Sequence, residues 1–308
     1  MSFRMSVCSF IFVYFLMSSI AFAEQENNET KIVINLPSRT LQLYSGNLVK
    51  KEYPVAIGKP STPTPLGTFY IMNKEQNPVW ISPRQNDVIV SGPDNPLGYR
   101  WMEFLPLYGI HGTNAPWTIS MAVSNGCVRM LESDAEELFN LVSNGTPVII
   151  TYERVKIDVG KSGQATIGIY PDVYSCHPVT LDEVYRKLAE YGYQCLVGEE
   201  FLLSILQEAS GTQVEFARSQ TIKINQTWLD RKGLLVNNTM YIPVWSAAVV
   251  CKLDIRWDAE KQLVWKDKRS YKGFVKDDII YCKVEDIQKL FNLRKEFQNN
   301  DGLELVYD

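Results

Sequence analysis

Short alternating segments separated by turn residues constrain the fold of this chain more than any other feature. Three of them follow Lys31, at Ile32–Ile34, Leu41–Tyr44 and Tyr53–Ile57. Ser45–Asn47, which lies between the second and the third, has the composition of a tight turn. Short runs bounded by turn residues favour β-strands over helices, because helical segments repeat their apolar residues every three or four positions over a longer stretch.

One helix and a closing strand follow in the same region. Ser133–Glu136 has the capping-box pattern and predicts a helix that ends near Gly145. Val148–Tyr152 is typical of a closing strand, and the prolines and glycines of residues 78–106 predict long loops. Residues 31–153 are therefore predicted to form a mostly β domain with one main helix.

The periodicity changes beyond this domain. Residues 158–165 contain two glycines and are the best candidate for a linker. A second capping box begins at Thr180 and predicts a helix to about Tyr191, and a further helix is predicted over Glu199–Ala209. Residues 154–218 are therefore expected to form a connecting region of helical or mixed structure.

A weak internal repeat with an offset of 40 residues begins near Thr221. It pairs Tyr241 with Tyr281, Val244 with Val284, Leu253 with Leu293 and Trp257 with Phe297. Each copy has the pattern of a hairpin strand, a helix and a further strand, and a period of this length indicates a small structural unit used twice. Residues 219–308 are predicted to be an α+β domain with a repeated β-hairpin/helix unit.

The N-terminus has the three parts of a secretory signal peptide. Residues 1–23 contain one base, Arg4, no acidic residue, an apolar run, and the small-residue pattern Ala21–Ala23. The alternative is a retained membrane anchor, but the run is shorter than the roughly 20 residues that a spanning helix needs. We therefore expect cleavage after Ala23, no membrane span afterwards, and an extracytoplasmic location in the periplasm or cell wall.

Charge and cysteine content narrow the function classes. With 31 basic and 35 acidic side chains, the chain lacks the basic excess typical of nucleic-acid binding. Removal of Cys8 with the signal peptide leaves an odd number of cysteines, which in an exported protein indicates a free reactive thiol. These five are Cys127, Cys176, Cys195, Cys251 and Cys282. Their spacings do not resemble a zinc site, so we expect no metal.

Two glycine-flanked segments carry the chemistry: Gly109–Asn114, which contains His111, and Ser124–Met130, which contains Cys127. A thiolate is a strong nucleophile, and an imidazole can take the thiol proton and later return it to a leaving amine. A single cysteine is more often a small buried apolar residue, but the motif as a whole favours catalysis. The glycine and the amides beside Cys127 suit a carbonyl substrate and its developing oxyanion.

The motif resembles the L,D-transpeptidase catalytic signature, in which H-G-T is followed by S-x-G-C-[IV]-R-M. The resemblance extends over residues 31–152 and implies a β-sandwich-like catalytic domain with no metal or organic cofactor. It implies that Cys127 is the nucleophile, that His111 is the general base and acid, that the Gly112 carbonyl orients the imidazole, and that Ser124 lies beside the pair. The predicted substrate-binding residues are Arg129, Asn114, Gly126 and Trp101. Asn125 stands where many members have a second histidine.

The resemblance also implies a reaction. Cys127 would attack the carbonyl before the terminal D-alanine of a peptidoglycan stem peptide, and an amine of a second stem would resolve the thioester as a 3→3 cross-link. Such an acyltransferase would serve cell-wall biogenesis and cell shape, and carbapenem β-lactams would inhibit it. One alternative is an L,D-carboxypeptidase, which uses water as the acceptor. Another is a non-catalytic wall-binding or adhesion protein.

Residues 219–308 resemble the stalk-type domain called copper amine oxidase N-terminal-like. Ile222–Asn225, Met240–Val244 and Leu253–Asp258 carry this resemblance. The region contains no histidine, so no copper is implied, and a spacer or adhesion role is expected. His177, the only other histidine, is interpreted as structural, because the adjacent Cys176 cannot face it as a dyad.

Overall fold

A computed structural model describes residues 29–82, 87–193, 196–299 and 302–307. The predicted signal peptide, Cys8 and Cys195 lie outside these residues. No helix in the described ranges has both the length and the apolar character needed to cross a lipid bilayer. Within the same ranges, no three His, Cys, Asp or Glu side chains are grouped so that they could hold a metal ion.

The first part of the chain is a β-rich domain with one α-helix, α1, at Glu132–Leu141, and one 3-10 turn at Pro116–Thr118. Its strands are β1 Thr30–Asn35, β2 Thr40–Ser45, β3 Leu48–Pro54, β4 Ile57–Gly58, β5 Gly67–Tyr70, β6 Asn73–Gln76, β7 Trp80–Ile81, β8 Val88–Ile89, β9 Arg100–Leu105, β10 Tyr108–His111, β11 Ala122–Ser124, β12 Val128–Arg129 and β13 Pro147–Thr151.

Two sheets enclose the core of this domain. One has the strand order β3-β2-β1-β13-β5 and the other β12-β10-β9-β6. Alternate residues of β1 are buried, as the pleat of a strand with one face on a core requires. Ile32 and Ile34 from the first sheet share one cluster with Met102 and Ile110 from the second, and Leu138 of α1 packs into it. The predicted mostly β, sandwich-like domain with one main helix is confirmed.

The remaining strands and helices form the accessory region. Its helices are α2 Leu181–Glu190, α3 Glu199–Glu208, α4 Val244–Cys251 and α5 Val284–Phe291. Its strands are β14 Val155–Val159, β15 Ala165–Ile169, β16 Val214–Ile224, β17 Thr227–Trp228, β18 Gly233–Val236, β19 Thr239–Pro243, β20 Arg256–Asp258, β21 Leu263–Lys266, β22 Arg269–Lys276, β23 Ile279–Lys283, β24 Leu293–Gln298 and β25 Gly302–Tyr307.

The predicted linker and domain boundary in this region both fall within regular structure. Residues 158–165 form the turn and flanking ends of the β14–β15 hairpin, whose buried Ile157 and Ile167 pack into an apolar cluster with α2 and α3. The linker prediction was therefore wrong: two glycines mark a hairpin turn as readily as a linker. The predicted boundary at 218/219 lies inside β16, which pairs with β15 at one end and with β25 at the other.

The internal repeat corresponds to two strand–helix units. The bounds of β23 and α5 are those of β19 and α4 shifted by 40 residues, and the two strands pair antiparallel in one sheet. α4 and α5 pack their buried faces into a common cluster that contains Ala247 and Ile287. The predicted repeated β-hairpin/helix unit is confirmed as structure, and its resemblance to a stalk domain stays a prediction.

Two sequence patterns near the site were misread. α1 begins at Glu132 rather than at the capping box, and its N-cap, Leu131, makes no side-chain capping bond. It ends at Leu141, before the predicted end near Gly145. The stretch 78–106, predicted as loops, contains β9, a central strand of the second sheet. Tertiary pairing with β6 and β10 outweighs the flanking prolines there.

The helix capped by Thr180 and the one that begins at Glu199 are confirmed.

Candidate active site

β10 and β12 bring His111 and Cys127 together. The two strands pair in parallel, with Ile110 opposite Val128 and His111 opposite Arg129. Successive side chains of a strand point to opposite faces, so Ile110 and Val128 enter the core while His111, Arg129 and Cys127 share the other face. Cys127 directly precedes β12, so its side chain lies two residues along the chain from the Arg129 that pairs with His111.

His111 is held as a neutral base. Only 3% of its surface is exposed, and its Nδ1 lies 2.7 Å from the Gly112 carbonyl oxygen. Burial lowers the pKa of His111 to about 4, and the positive charge of Arg129 adds to that effect, while hydrogen bonds to the Gly112 and Leu97 carbonyls oppose it. A carbonyl oxygen can only accept, so the Gly112 bond places a proton on Nδ1. The carbonyl predicted to orient the imidazole is thus in place.

Cys127 is a half-buried free thiol beside the backbone that precedes His111. Its Sγ lies 3.6 Å from the Leu107 carbonyl oxygen. Burial raises the pKa of the Cys127 thiol, although a hydrogen bond with the Gly109 backbone and the charge of Arg129 act in the opposite direction. The thiol is therefore protonated at neutral pH, and its reaction depends on a neighbouring base.

The loop before Cys127 is fixed by Ser124. The Ser124 Oγ donates to the Cys127 carbonyl oxygen at 2.6 Å and accepts from the Gly126 amide at 3.0 Å. Gly126 has a φ of +117°, and a Cβ at this position would collide with the ring of Tyr108. Because Ser124 already binds the Gly126 amide, the Cys127 amide is the remaining candidate of the two for an oxyanion donor. The sequence had predicted both.

Arg129 presents an unsatisfied donor on the same face. Its backbone is locked to β3–β4 by two bonds with Ala56, each 2.9 Å long. Its Nε is buried and, within the part of the chain that the structure describes, has no hydrogen-bond partner. A buried donor without a partner carries a free-energy cost that a bound anion would relieve.

The other two predicted substrate residues occupy different positions. Trp101 lies opposite His111 on β9, with the centroids of the two rings 5.6 Å apart. Asn114 is exposed, and its side-chain amide donates to the Asp94 carbonyl oxygen at 3.0 Å. Trp101 therefore belongs to the immediate surroundings of the imidazole, whereas Asn114 joins two loops.

Glu132 is a site residue that the sequence reasoning missed. Its carboxylate accepts from the Tyr99 amide at 2.8 Å and from the Thr113 amide, and burial raises its pKa. It fills the space beside Gly112, where any Cβ would collide with it. Glu132 thereby clamps the segment whose carbonyl orients His111. The one indication in the sequence was a carboxylate at the start of a helix, which is common in helices of every kind.

We expect Glu132→Ala to loosen this clamp. It leaves two partly buried amides without an acceptor, which costs about 1–3 kcal/mol of unfolding free energy. Urea unfolding measures that loss, and amide hydrogen exchange at Tyr99 and Thr113 should quicken. Glu136→Ala is the matched control, because Glu136 lies on the same helix and makes a half-exposed ion pair with Arg100, which contributes little to stability. Equal unfolding free energies for the two variants would contradict the clamp.

The remaining cysteines and the second histidine lie outside this site. Cys176 is exposed, Cys251 and Cys282 are buried in the accessory core, and all three are free thiols. His177 is exposed, with Nε2 3.3 Å from a Glu183 carboxylate oxygen. Neither His177 nor Cys176 lies on the face shared by His111, Cys127 and Arg129, which is called the catalytic face below.

Comparisons with known proteins agree on one family. The family model for the L,D-transpeptidase catalytic domain matches residues 29–150. YkuD of Bacillus subtilis, named as an L,D-transpeptidase, is 42% identical over 120 residues, which are 39% of this chain and 64% of that protein. YqjB of the same organism, named likewise, is 35% identical over 169 residues, or 50% of this chain and 92% of that protein.

Among solved structures, the catalytic domain of an E. faecium L,D-transpeptidase acylated by ertapenem is 28% identical. The match covers 40% of this chain and 97% of that domain, with a TM-score of 0.34. The chain spans about two thirds of the length of the YkuD relatives it matches and nearly all of YqjB. On the strength of the YqjB match, this chain belongs to the L,D-transpeptidase family.

Proposed function

We propose that the protein is an exported peptidoglycan L,D-transpeptidase that forms 3→3 cross-links. The observation that carries the proposal is the shared face of β10 and β12. It places a neutral imidazole, a half-buried thiol and a guanidinium with an unsatisfied Nε on one surface. These three groups are a base, a nucleophile and an anchor for a carboxylate, as acyl transfer from a peptide that ends in D-alanine requires.

The first half-reaction transfers an acyl group to sulfur. His111 takes the thiol proton as the Cys127 Sγ attacks the carbonyl that precedes the terminal D-alanine. The C–S bond forms, the Cys127 amide donates to the developing oxyanion, and the C–N bond then breaks. The D-alanine amine leaves with the proton from His111, and Arg129 pairs with its carboxylate before departure. A thioester remains.

The second half-reaction returns the acyl group to nitrogen. The side-chain amine of a second stem attacks the thioester carbonyl, and His111 accepts its proton. The C–S bond breaks, and the thiolate regains the proton from His111. The products are a 3→3 cross-link and the free enzyme, so ping-pong kinetics are expected. Each step uses only groups of this chain and the two stems.

Export and wall location form part of the same proposal. The N-terminal sequence supports them, since residues 1–23 have the composition of a cleaved signal peptide. A peptidoglycan substrate is met only outside the cytoplasmic membrane once it has been polymerised. Carbapenems are proposed as inhibitors, because their strained amide carbonyl would acylate the Cys127 thiol, and ertapenem acylates the E. faecium domain.

The products of a purified disaccharide tetrapeptide test the proposal. We expect mass spectrometry to detect released D-alanine and a dimer in which one stem has lost its D-alanine. A tripeptide as the only product would establish a carboxypeptidase that uses water and would contradict transfer. No release of D-alanine at all would contradict the donor reaction and favour a non-catalytic wall-binding role.

A further inference from the structure

A segment of the accessory region reaches the loop that carries Cys127. This strap, defined as residues 171–177, lies between β15 and α2. Its Val173 and Tyr174 pack against the apolar core of the catalytic domain, although every strand of that domain ends before residue 153. The strap thus contacts the β-sandwich from outside the residues that the family model matches.

The Tyr174 hydroxyl binds two backbone groups of the catalytic domain. It donates to the Gly58 carbonyl oxygen at 2.8 Å and accepts from the Thr64 amide at 3.2 Å. The Gly58 amide in turn donates to the Thr64 Oγ1 at 2.9 Å. The hydroxyl therefore joins both ends of one turn, residues 58–64, and fixes its shape.

This turn holds the catalytic loop in place. The Lys59 amide and the Thr62 hydroxyl both donate to the Ser124 carbonyl oxygen, at 3.0 and 3.1 Å. The Lys59 Nζ donates to the Asn125 Oδ1 at 3.0 Å. Because Ser124 fixes the Cys127 carbonyl and the Gly126 amide, a continuous chain of hydrogen bonds joins Tyr174 to the nucleophile.

The strap is itself anchored. The rings of Tyr174 and Tyr152 stack with centroids 5.6 Å apart, and the Tyr174 amide donates to the Tyr152 hydroxyl at 2.8 Å. That hydroxyl donates to the Asp172 carboxylate at 2.6 Å, which also accepts from the Cys176 and His177 amides. Tyr152 thus ties the end of the catalytic domain to the strap, and Arg154 adds a second anchor by donating to the His177 carbonyl oxygen at 2.7 Å.

We infer that Tyr174 is a positioning residue, through which the accessory region sets the geometry of the loop carrying Cys127. The inference rests on the proposed function. Small displacements of a nucleophile lower the rate of the chemical step more than they lower affinity. Removal of the hydroxyl is therefore expected to reduce the acylation rate constant at saturating reagent about three- to tenfold, with little change in the apparent binding constant.

The test uses the full chain and ertapenem as the acylating probe. Tyr174→Phe keeps the ring stacked and removes only the hydroxyl. Tyr152→Phe removes the hydroxyl that binds Asp172 and the Tyr174 amide, and so weakens one of the strap's two anchors. Tyr170→Phe is the matched control, since Tyr170 directly precedes the strap and, among the residues that the structure describes, its hydroxyl has one hydrogen-bond partner, Gln213, at 3.4 Å. Stopped-flow kinetics give the saturating rate and the binding constant, and thermal melting confirms that each variant is folded.

We expect the rate to fall in Tyr174→Phe and in Tyr152→Phe and to stay at the wild-type value in Tyr170→Phe. The losses should be non-additive in the Tyr152→Phe/Tyr174→Phe double variant, because both act through one strap. A wild-type rate in folded Tyr174→Phe would overturn the inference and leave the proposed function intact. Failure of the wild-type protein itself to be acylated would overturn both.

Discussion

Cys127→Ser is expected to lower the rate of cross-linked dimer formation by at least about 10³-fold. The serine hydroxyl is a far weaker acid than a thiol, and burial has reduced the basicity of His111 to a pKa of about 4, so the imidazole cannot generate an effective alkoxide. Chromatography with mass detection of the dimer measures the rate. Cys176→Ser is the matched control, because that thiol is exposed and lies off the catalytic face. Dimer formation at the wild-type rate in folded Cys127→Ser would remove Cys127 from the mechanism.

His111→Ala is expected to lower the rate about 10²- to 10⁴-fold and to change its pH dependence. In the wild-type protein the imidazole has lost its proton above pH 4, and the raised pKa of Cys127 keeps the thiol protonated at neutral pH. The rate should therefore reach a plateau from about pH 5. Without the base only the thiolate reacts, so the residual rate of the variant should rise about tenfold per pH unit below the thiol pKa.

Acylation by a carbapenem at constant ionic strength gives both profiles. His177→Ala serves as the control, since that imidazole is exposed and pairs with Glu183. A wild-type rate that is already half lost at about pH 6.5, the ordinary pKa of a histidine, would contradict the low pKa assigned to the buried His111. A flat profile in His111→Ala would show that another group supplies the base.

The proposed base and nucleophile could be selected from the sequence because their motif is local. His111 and the Ser124–Met130 segment lie on two short stretches, and parallel pairing of β10 with β12 is the only long-range step that joins them. The first strands, the closing strand and the presence of the main helix also followed from local patterns. The Gly112 carbonyl is adjacent to His111 in the chain, so its contact with Nδ1 needs no tertiary information.

The residues that hold the site in shape could not be predicted, because their roles arise from distant chain segments. Glu132 accepts hydrogen bonds from the amides of residues 99 and 113, and the Tyr174 hydroxyl binds backbone groups of residues 58 and 64. Neither residue has a spacing that would distinguish it from an ordinary surface carboxylate or core tyrosine. Similarly, the sequence predicted the amides of both Gly126 and Cys127 as oxyanion donors. The structure shows that the Gly126 amide already donates to the Ser124 hydroxyl.

The accessory region shows the same division. Its internal repeat could be recognised in the sequence, because matching residues such as Tyr241 and Tyr281 are separated by a fixed 40 positions. The continuity of its sheet could not be recognised, because Gly160 and Gly163 have the composition of a linker. Only the pairing of β14 with β15 shows that they belong to a hairpin turn. A strand that passes through the predicted boundary at 218/219 joins the connecting region to the repeat, so both are expected to unfold together rather than as separate modules.

The mass of the protein after incubation with a carbapenem tests the central claim most directly. We predict a single adduct of one drug molecule, located by tryptic mapping to the peptide of residues 101–129, in which Cys127 is the only cysteine. The adduct should be absent from Cys127→Ser and retained by Cys176→Ser. An unmodified wild-type protein, or an adduct on any other cysteine, would contradict the assignment of Cys127 as the nucleophile of an L,D-transpeptidase.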